Sequence, residues 1–405
     1  MAQLKSDAQR QEKDGVYMNE AIDRHLQNKI IPFWNRQVDK QHGGFYGFAE
    51  VDLIPNQFGD KGSIKMARLL WAYSALYRHY QDKSYLKHAQ IAYDYLMKYL
   101  YDKDQQGVYW KSSYSGQIIN DTKHVYAQSF AIYGFSEYYL ASHNNKALEC
   151  ACDLFQTIEE KAYCQEKNSY HEQFTRNWIP VENTLLASNT IQPAYTTNTL
   201  IHLIEAYTSL YCSSKRQDVR ERIIGLLQLF VDRAFDRSRR ACFTEYDVSW
   251  RPIDTKTSFG HDIETSWLID RAMDVIQFHP VQLTEMTAAL CENTLKNGYF
   301  EGVIDSGRSE EKPGETLVWW VQAEAVIGFL NHFQKTNEKV YLEAARRTLD
   351  VTMTKIVDHR DGGEWFWSVD QTGKPLEDYG ISENWKANYH NVRMCLEILK
   401  RGEML

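Results

Sequence analysis

Gly43-Gly44-Phe45-Tyr46-Gly47-Phe48 opens on two turn-forming glycines and runs on as a short aromatic stretch. The pattern returns at Gly107-Val108-Tyr109-Trp110, at Ser169-Tyr170-His171-Glu172-Gln173-Phe174 and at Cys242-Phe243-Thr244-Glu245-Tyr246. Two more copies are Gly298-Tyr299-Phe300-Glu301-Gly302 and Gly362-Gly363-Glu364-Trp365-Phe366-Trp367. The copies lie about 60 to 70 residues apart, the mark of a repeat architecture. Each reads as an extended segment beside a turn.

Between copies there is room for two helices. Apolar periodicity places them at 64–80 and 85–101, 123–140 and 146–160, 197–211 and 219–235, 261–278 and 281–297, then 316–332 and 339–357. An opening helix at 16–38 and a closing one at 387–400 bring the number to about twelve. Leu69, Ala72, Leu76 and Tyr80 recur at spacings of three and four. Alternate helices are apolar nearly all round, as in Ala127-Gln128-Ser129-Phe130-Ala131-Ile132-Tyr133-Gly134, so they are buried. Six inner and six outer helices make an all-α (α/α)6 barrel with short β-hairpin-like loops. The competing arrangement is an open solenoid, which needs polar capping repeats. The first and last helices are apolar enough to pack on each other, so a closed ring is expected. No linker divides the chain, and residues 1–405 read as a single catalytic domain. The polar segment 302–315, punctuated by Gly and Pro, reads as a flap over the barrel.

Composition narrows the function. The 405 residues carry 46 Lys+Arg against 54 Asp+Glu, a net charge of −8 that gives no phosphate-tracking surface and argues against nucleic acid. No apolar run reaches the roughly 20 residues of a membrane helix. The polar, charge-mixed start is not a secretory signal. Seven cysteines without zinc-ribbon or Cys-x-x-Cys spacing suit a reduced, cytoplasmic protein. Aromatics reach 13%, with 26 Tyr and 11 Trp, enough for a core and a stacking surface as well.

Polar residues at the starts of apolar helices are the informative exceptions. They are Arg68; Tyr126 and Gln128; Asn198 and His202, four apart; His261 and Glu264, three apart; Trp320 and Glu324, four apart; and Trp385 ahead of His390. Parallel inner helices would bring these ends together at one mouth. Taken singly, each has a plainer reading, such as a core histidine, a structural tryptophan, a buried ion pair or a surface carboxylate. Recurrence at equivalent repeat positions is what favours a site. Trp319 and Trp320 cannot both face one way, so one is expected in the core and the other on the mouth. Three His can hold zinc, but His261 and Glu264 do not form a His-Glu-x-x-His pair, and no metal is expected. Serine-elbow, P-loop and dinucleotide motifs are absent, so no cofactor is expected.

The segments Thr197 to Tyr207, Phe259-Gly260-His261-Asp262-Ile263-Glu264-Thr265-Ser266-Trp267, Trp319-Trp320-Val321-Gln322-Ala323-Glu324-Ala325 and Trp385-Lys386-Ala387-Asn388-Tyr389-His390-Asn391-Val392-Arg393-Met394 carry a likeness. Through them the chain resembles the disaccharide-acting branch of the N-acylglucosamine 2-epimerase superfamily, from about Trp34 to Leu399. The resemblance implies an (α/α)6 barrel. It also implies cofactor-free epimerisation at C2 of the reducing-end glucose of β-1,4-linked disaccharides, cellobiose to glucosylmannose or lactose to epilactose. It places the acid/base pair at His261 and His390, and polar site positions at Arg68, Asn198, His202, Glu264 and Glu324. Site aromatics fall at Tyr126, Trp267, Trp320 and Trp385. Enzymes acting on mannobiose share this pattern.

The residues suit that chemistry in their own right. An open-chain aldose has an acidic C2 hydrogen, and two imidazoles can remove and return it through a cis-enediolate, with aldose–ketose isomerisation as a side reaction. Glu264 is expected to orient His261, Arg68 to hold charge on O1 or O2, and Trp320 and Trp385 to stack on sugar faces. Two other functions stay open on the residues alone. One is an inverting glycosidase using Glu264 and Glu324 at about 6.5 to 9.5 Å. The other is a non-catalytic sugar-binding protein. The expected partner is a disaccharide, and the expected state a monomer or weak homo-oligomer.

Overall fold

A computed structural model describes residues 19–186, 192–253, 256–300, 303–304, 316–376 and 379–401. Six helices form the inner layer: α2 (Ser63–Tyr80), α4 (Val125–Ser142), α6 (Thr197–Ser214), α8 (Phe259–Ile276), α10 (Trp319–Thr336) and α12 (Tyr389–Arg401). The outer layer is α1 (19–36, with a π-turn at Leu26–Ile30), α3 (Lys83–Tyr95), α5 (Asn145–Lys161), α7 (Gln217–Leu229), α9 (Val281–Asn297) and α11 (Lys339–Val351). Each of α3, α7 and α11 runs on into a π-turn, Leu96–Leu100, Phe230–Ala234 and Thr352–Ile356. The expected opening helix begins outside the described residues, and α12 starts two residues after its expected position because the chain from Trp385 to Asn388 turns over the barrel mouth.

Inner and outer helices differ as their sequences require. α4 buries every residue but Tyr139, Leu140 and Ser142, whereas α11 buries one face, Tyr341, Leu342, Ala344, Ala345, Thr348 and Leu349. α2 packs on α4, α4 on α6, α6 on α8, α8 on α10, α10 on α12, and α12 back on α2. The ring is closed, and the fold is an (α/α)6 barrel. Each outer helix from α3 to α11 packs on the inner helix before it, and α1 packs on α12. No helix among the described residues is long and apolar enough to cross a membrane.

The six aromatic repeats form hairpins at the ends of the outer helices. Val38 pairs with Phe45, Tyr101 with Val108, Tyr163 with Tyr170, Phe235 with Cys242, Tyr299 with Ile304 and Val357 with Trp365. A second set of pairings joins neighbouring repeats. The strand entering an inner helix bonds to the strand following the next hairpin: Lys61–Gly62 to Lys111–Ser112, Lys123–His124 to Gln173–Phe174, Tyr195–Thr196 to Glu245–Tyr246, and Thr316–Val318 to Ser368–Asp370. An isolated bridge from Ala49 to Ser382 links the last repeat to the first. These pairings make a collar around the N-terminal ends of the inner helices.

The opposite face is built from tight turns. Five inner helices end at a non-glycine residue in the left-handed region, Gln81, His143, Lys215, Gln277 and Asn337, with φ between 52° and 59°. Residues 303–304 of the expected flap form a strand, and the rest of that segment lies outside the described residues.

Candidate active site

The collar surrounds a cavity of about 380 Å³, within the usual range for a small-molecule site. Its walls carry Arg68, Tyr126, Asn198, His202, His261, Glu264, Trp320, Trp385 and His390 from the sequence-derived set. The inner helices place them by register. Tyr126, Asn198, Trp320 and His390 are each the second residue of their helix, and Arg68, His202 and Glu264 each the sixth, one turn deeper. Because the N-terminal ends converge, the positive ends of the helix dipoles face the cavity, which favours an oxyanion there.

Each histidine is held through Nδ1. His390 Nδ1 lies 2.6 Å from Glu324 Oε1, and His202 Nδ1 lies 2.9 Å from Glu205 Oε2. His261 Nδ1 lies 2.6 Å from Ser258 Oγ, the hydroxyl that also caps α8. In all three rings Nε2 is left for the cavity. Burial lowers His261 to about 4, with His202 adding to the effect, and carries His390 well below the free imidazole value, Arg393 and Arg68 adding to it. Each ring therefore gives up a ring proton more readily than a free imidazole does. Trp320 lies between them, with its centroid 4.8 Å from His261 and 5.7 Å from His390.

Arg393, buried behind the cavity wall, organises the carboxylates. Its Nη2 lies 2.8 Å from Glu264 Oε1 and 2.7 Å from Glu324 Oε1, and its Nη1 donates to Glu205 Oε1. Tyr389 donates to the same Glu205 oxygen at 2.5 Å. Burial alone would raise Glu205, yet Arg393 above all, with His202 and Tyr389, brings it down to about 2. Burial, and then the charge of Glu324, lifts Glu264 well above the ordinary carboxyl value, and burial lifts Glu324 despite Arg393. The two glutamates therefore share a proton more readily than they ionise together.

Three expectations are corrected. Glu264 does not orient His261; its partner is Arg393, and Ser258 holds the imidazole instead. Glu324 and Trp267 do not line the cavity. Both are almost wholly buried behind it, Trp267 Nε1 donating to Glu324 Oε2 at 3.0 Å while its ring packs on Arg393. Trp319 and Trp320 both reach the cavity, although Trp319 is 1% exposed, and Trp367 lines it beside Trp319.

Sequence reasoning missed Arg393 and Glu205, which stand three residues after His390 and His202. That one-turn spacing on an apolar helix was the available signal. It also missed Trp367, Tyr379 and Glu383, which reach the cavity from long connections without periodicity.

Arg68 Nη2 donates to the Tyr126 hydroxyl at 2.9 Å, and Nη1 to the Trp385 carbonyl. Its guanidinium lies 4.3 Å from the Phe130 ring centroid. This fixes a cation on the α2 wall, across the ring from His261 and beside the start of α12. Among the described residues, Glu264, Glu324 and His390 offer ligand atoms within 4.8 Å of one another, the spacing of a metal site. The Arg393 guanidinium already fills the cation's place between the two carboxylates. The same closeness sets Glu264 and Glu324 short of the roughly 6.5 to 9.5 Å that flanks a bond in inverting glycosidases.

A closed (α/α)6 ring with cavity-facing histidines and a fixed arginine at its N-terminal mouth defines a site suited to proton transfer on a small polar substrate. The N-acylglucosamine 2-epimerase (GlcNAc 2-epimerase) family profile matches residues 43–393, and the chain belongs to that family of isomerases. It is 35% identical to the cellobiose 2-epimerase of Dictyoglomus turgidum over 384 residues, covering 94% of this chain and 97% of that one. It is 36% identical to the cellobiose 2-epimerase of Ruminococcus albus over 383 residues, covering 94% and 98%. The structure of cellobiose 2-epimerase from Bacillus thermoamylovorans superposes with a TM-score of 0.93 at 37% identity, covering 95% of this chain and 99% of that one.

Proposed function

We propose that the protein epimerises C2 of the reducing-end glucose of β-1,4-linked disaccharides, with cellobiose as the first substrate, in the cytoplasm and without a cofactor. The observation that carries this reading is the pair of cavity-facing imidazoles, His261 and His390, each anchored through Nδ1. The likeness to three proteins named cellobiose 2-epimerase supports the substrate. Cysteines that are unpaired among the described residues support the compartment.

Ring opening moves a proton from the O1 hydroxyl to O5 and exposes the C1 carbonyl. One imidazole Nε2 then accepts the C2 proton, and the electron pair moves into the C1–C2 bond to give a cis-enediolate. Arg68 and the inner-helix N-termini balance the charge on O1 and O2. The second imidazole delivers a proton to the opposite face of C2, inverting it. The pair works with one proton between them, and since epimerisation is reversible each ring is base in one direction and acid in the other. Glu324 stabilises the imidazolium that forms at His390. His202, whose Nδ1 serves Glu205, offers Nε2 to a sugar oxygen.

The test is cellobiose in heavy water. Glucosylmannose carrying deuterium at C2 is expected. Free glucose would mean hydrolysis, unchanged cellobiose a binding protein, and faster turnover of mannobiose a different natural substrate. His261→Asn and His390→Asn should each lower net epimerisation by about 100- to 10,000-fold. A variant that exchanges the C2 hydrogen without inverting it keeps the abstracting base. Near-parental rates in both variants would exclude the two-imidazole mechanism.

A further inference from the structure

The cavity has two zones. Arg68, Tyr126, His202, Glu264 and His390 are buried, while Asn198, His261, Trp320, Trp367, Glu383 and Trp385 are half-buried and Tyr379 is 45% exposed. An aromatic track runs outward from His390. Trp319 is 5.2 Å from it, Trp367 is 6.3 Å from Trp319, and Tyr379 stacks on Trp367 at 5.1 Å and 18°. The reacting end of a substrate belongs with His261 and His390, so a second ring lies along the aromatic track that runs outward from them.

Glu383 stands in that zone, on the cavity wall, two residues before Trp385. Its backbone is pinned on both sides. Ser382 forms the bridge to Ala49, with N–H···O distances of 3.1 and 2.9 Å, and its Oγ accepts from Lys65 Nζ at 2.6 Å. Asn384 Oδ1 accepts the Gly62 N–H at 2.8 Å, at the start of α2. The Glu383 carboxylate itself takes no hydrogen bond among the described residues. Glu264, the other carboxylate on the wall, is committed to Arg393. Burial raises the Glu383 carboxyl, while Lys65, Lys386 and Arg68 oppose the shift. A preorganised side chain with unspent acceptors beside a stacking Trp suits adjacent sugar hydroxyls, each of which can donate to one carboxylate oxygen.

We propose that Glu383 is a specificity-determining residue that accepts hydrogen bonds from two neighbouring hydroxyls of the outer, non-reducing ring of the disaccharide while Trp385 and Trp367 cover its faces. The assignment rests on the disaccharide epimerase reading given above. It predicts that Glu383 contributes to holding the substrate and little to the proton transfer.

Glu383→Gln keeps the shape and removes the charge. For cellobiose, KM should rise about 10- to 100-fold, the value of charge-assisted hydrogen bonds, with kcat at saturation within about threefold of the parent. Methyl β-cellobioside, which cannot open its ring, should bind more weakly by a similar factor in calorimetry, and methyl β-glucoside should bind as it does to the parent. An unchanged KM and unchanged methyl β-cellobioside affinity would overturn the assignment. A loss confined to kcat would also overturn it, because Glu383 would then act at the reacting ring. If the parent does not epimerise cellobiose, the functional reading fails. The glycoside affinities still decide whether Glu383 reads an outer ring.

Discussion

Arg393 is the residue on which the site turns. One guanidinium meets three buried carboxylates, two of which hold the histidines His202 and His390. A cation is thus built into the chain where a divalent ion would otherwise bridge Glu264 and Glu324. Prolonged chelation is accordingly expected to leave the epimerisation rate unchanged, and metal analysis of the purified protein to find no stoichiometric transition metal. A rate that collapses with chelator and returns with zinc would make these groups ligands. The stacking walls give a second expectation. Trp320→Ala and Trp385→Ala should each cost about 1 to 3 kcal/mol in binding or positioning, by analogy with bases stacked on aromatic side chains. Steady-state kinetics on folded variants checks this, and parental kinetics in both would mean neither ring touches substrate. The cavity-facing side chains were legible in the sequence because an apolar helix start leaves polar residues conspicuous. Their partners were less so. Glu324 and Trp267 have the same look as wall residues, and only packing puts them behind His390 and Arg393.

At the level of elements, the twelve helices follow from periodicity, whereas their closest approaches follow from single small residues. Gly134 in α4 is one. A Cβ there would lie 2.8 Å from the Ala67 carbonyl oxygen in α2, one residue before Arg68. Backbone cannot yield as a side chain tip can. Gly134→Ala should therefore push α2 and α4 apart, destabilise the protein by about 1 to 3 kcal/mol and lower activity through Arg68. Denaturant unfolding together with kcat measures both effects, and a variant as stable as the parent would show that the two helices slide freely. The hairpins were foreseeable from the repeated aromatics. The cross-repeat strand pairs were not, because they join short segments about 50 residues apart with no alternation of their own.

The whole molecule carries an acid sensitivity set by burial. His25 and His124 lie far from each other in the chain, yet burial lowers each to about 4, as it does His261. Such a group favours the folded state above the unfolded value near 6.5, and this contribution is lost as the pH falls toward 4. Each accounts for on the order of 3 kcal/mol at full loss. The melting temperature should therefore be flat above about pH 7 and decline between about 6.5 and 4, before most carboxylates titrate. A melting temperature constant down to pH 4 would mean that these rings accept protons in the folded state. Closure of the ring was legible from the apolar first and last helices, but the place of Trp367, Tyr379 and Glu383 on the cavity wall was not, since it depends on where the long connections settle.

Those five left-handed turns on the face away from the mouth have a consequence for how such a barrel diversifies. They leave almost no chain there, so the room for longer connections lies where the outer helices return to the collar. On the reading proposed above, proton chemistry is written into helix starts, and choice of sugar into the connections that carry Trp367, Tyr379 and Glu383. The two are separable cassettes. Grafting the 357–388 connection from a relative with another sugar preference should carry that preference across, while His261 and His390 stay in register on helices outside the grafted segment.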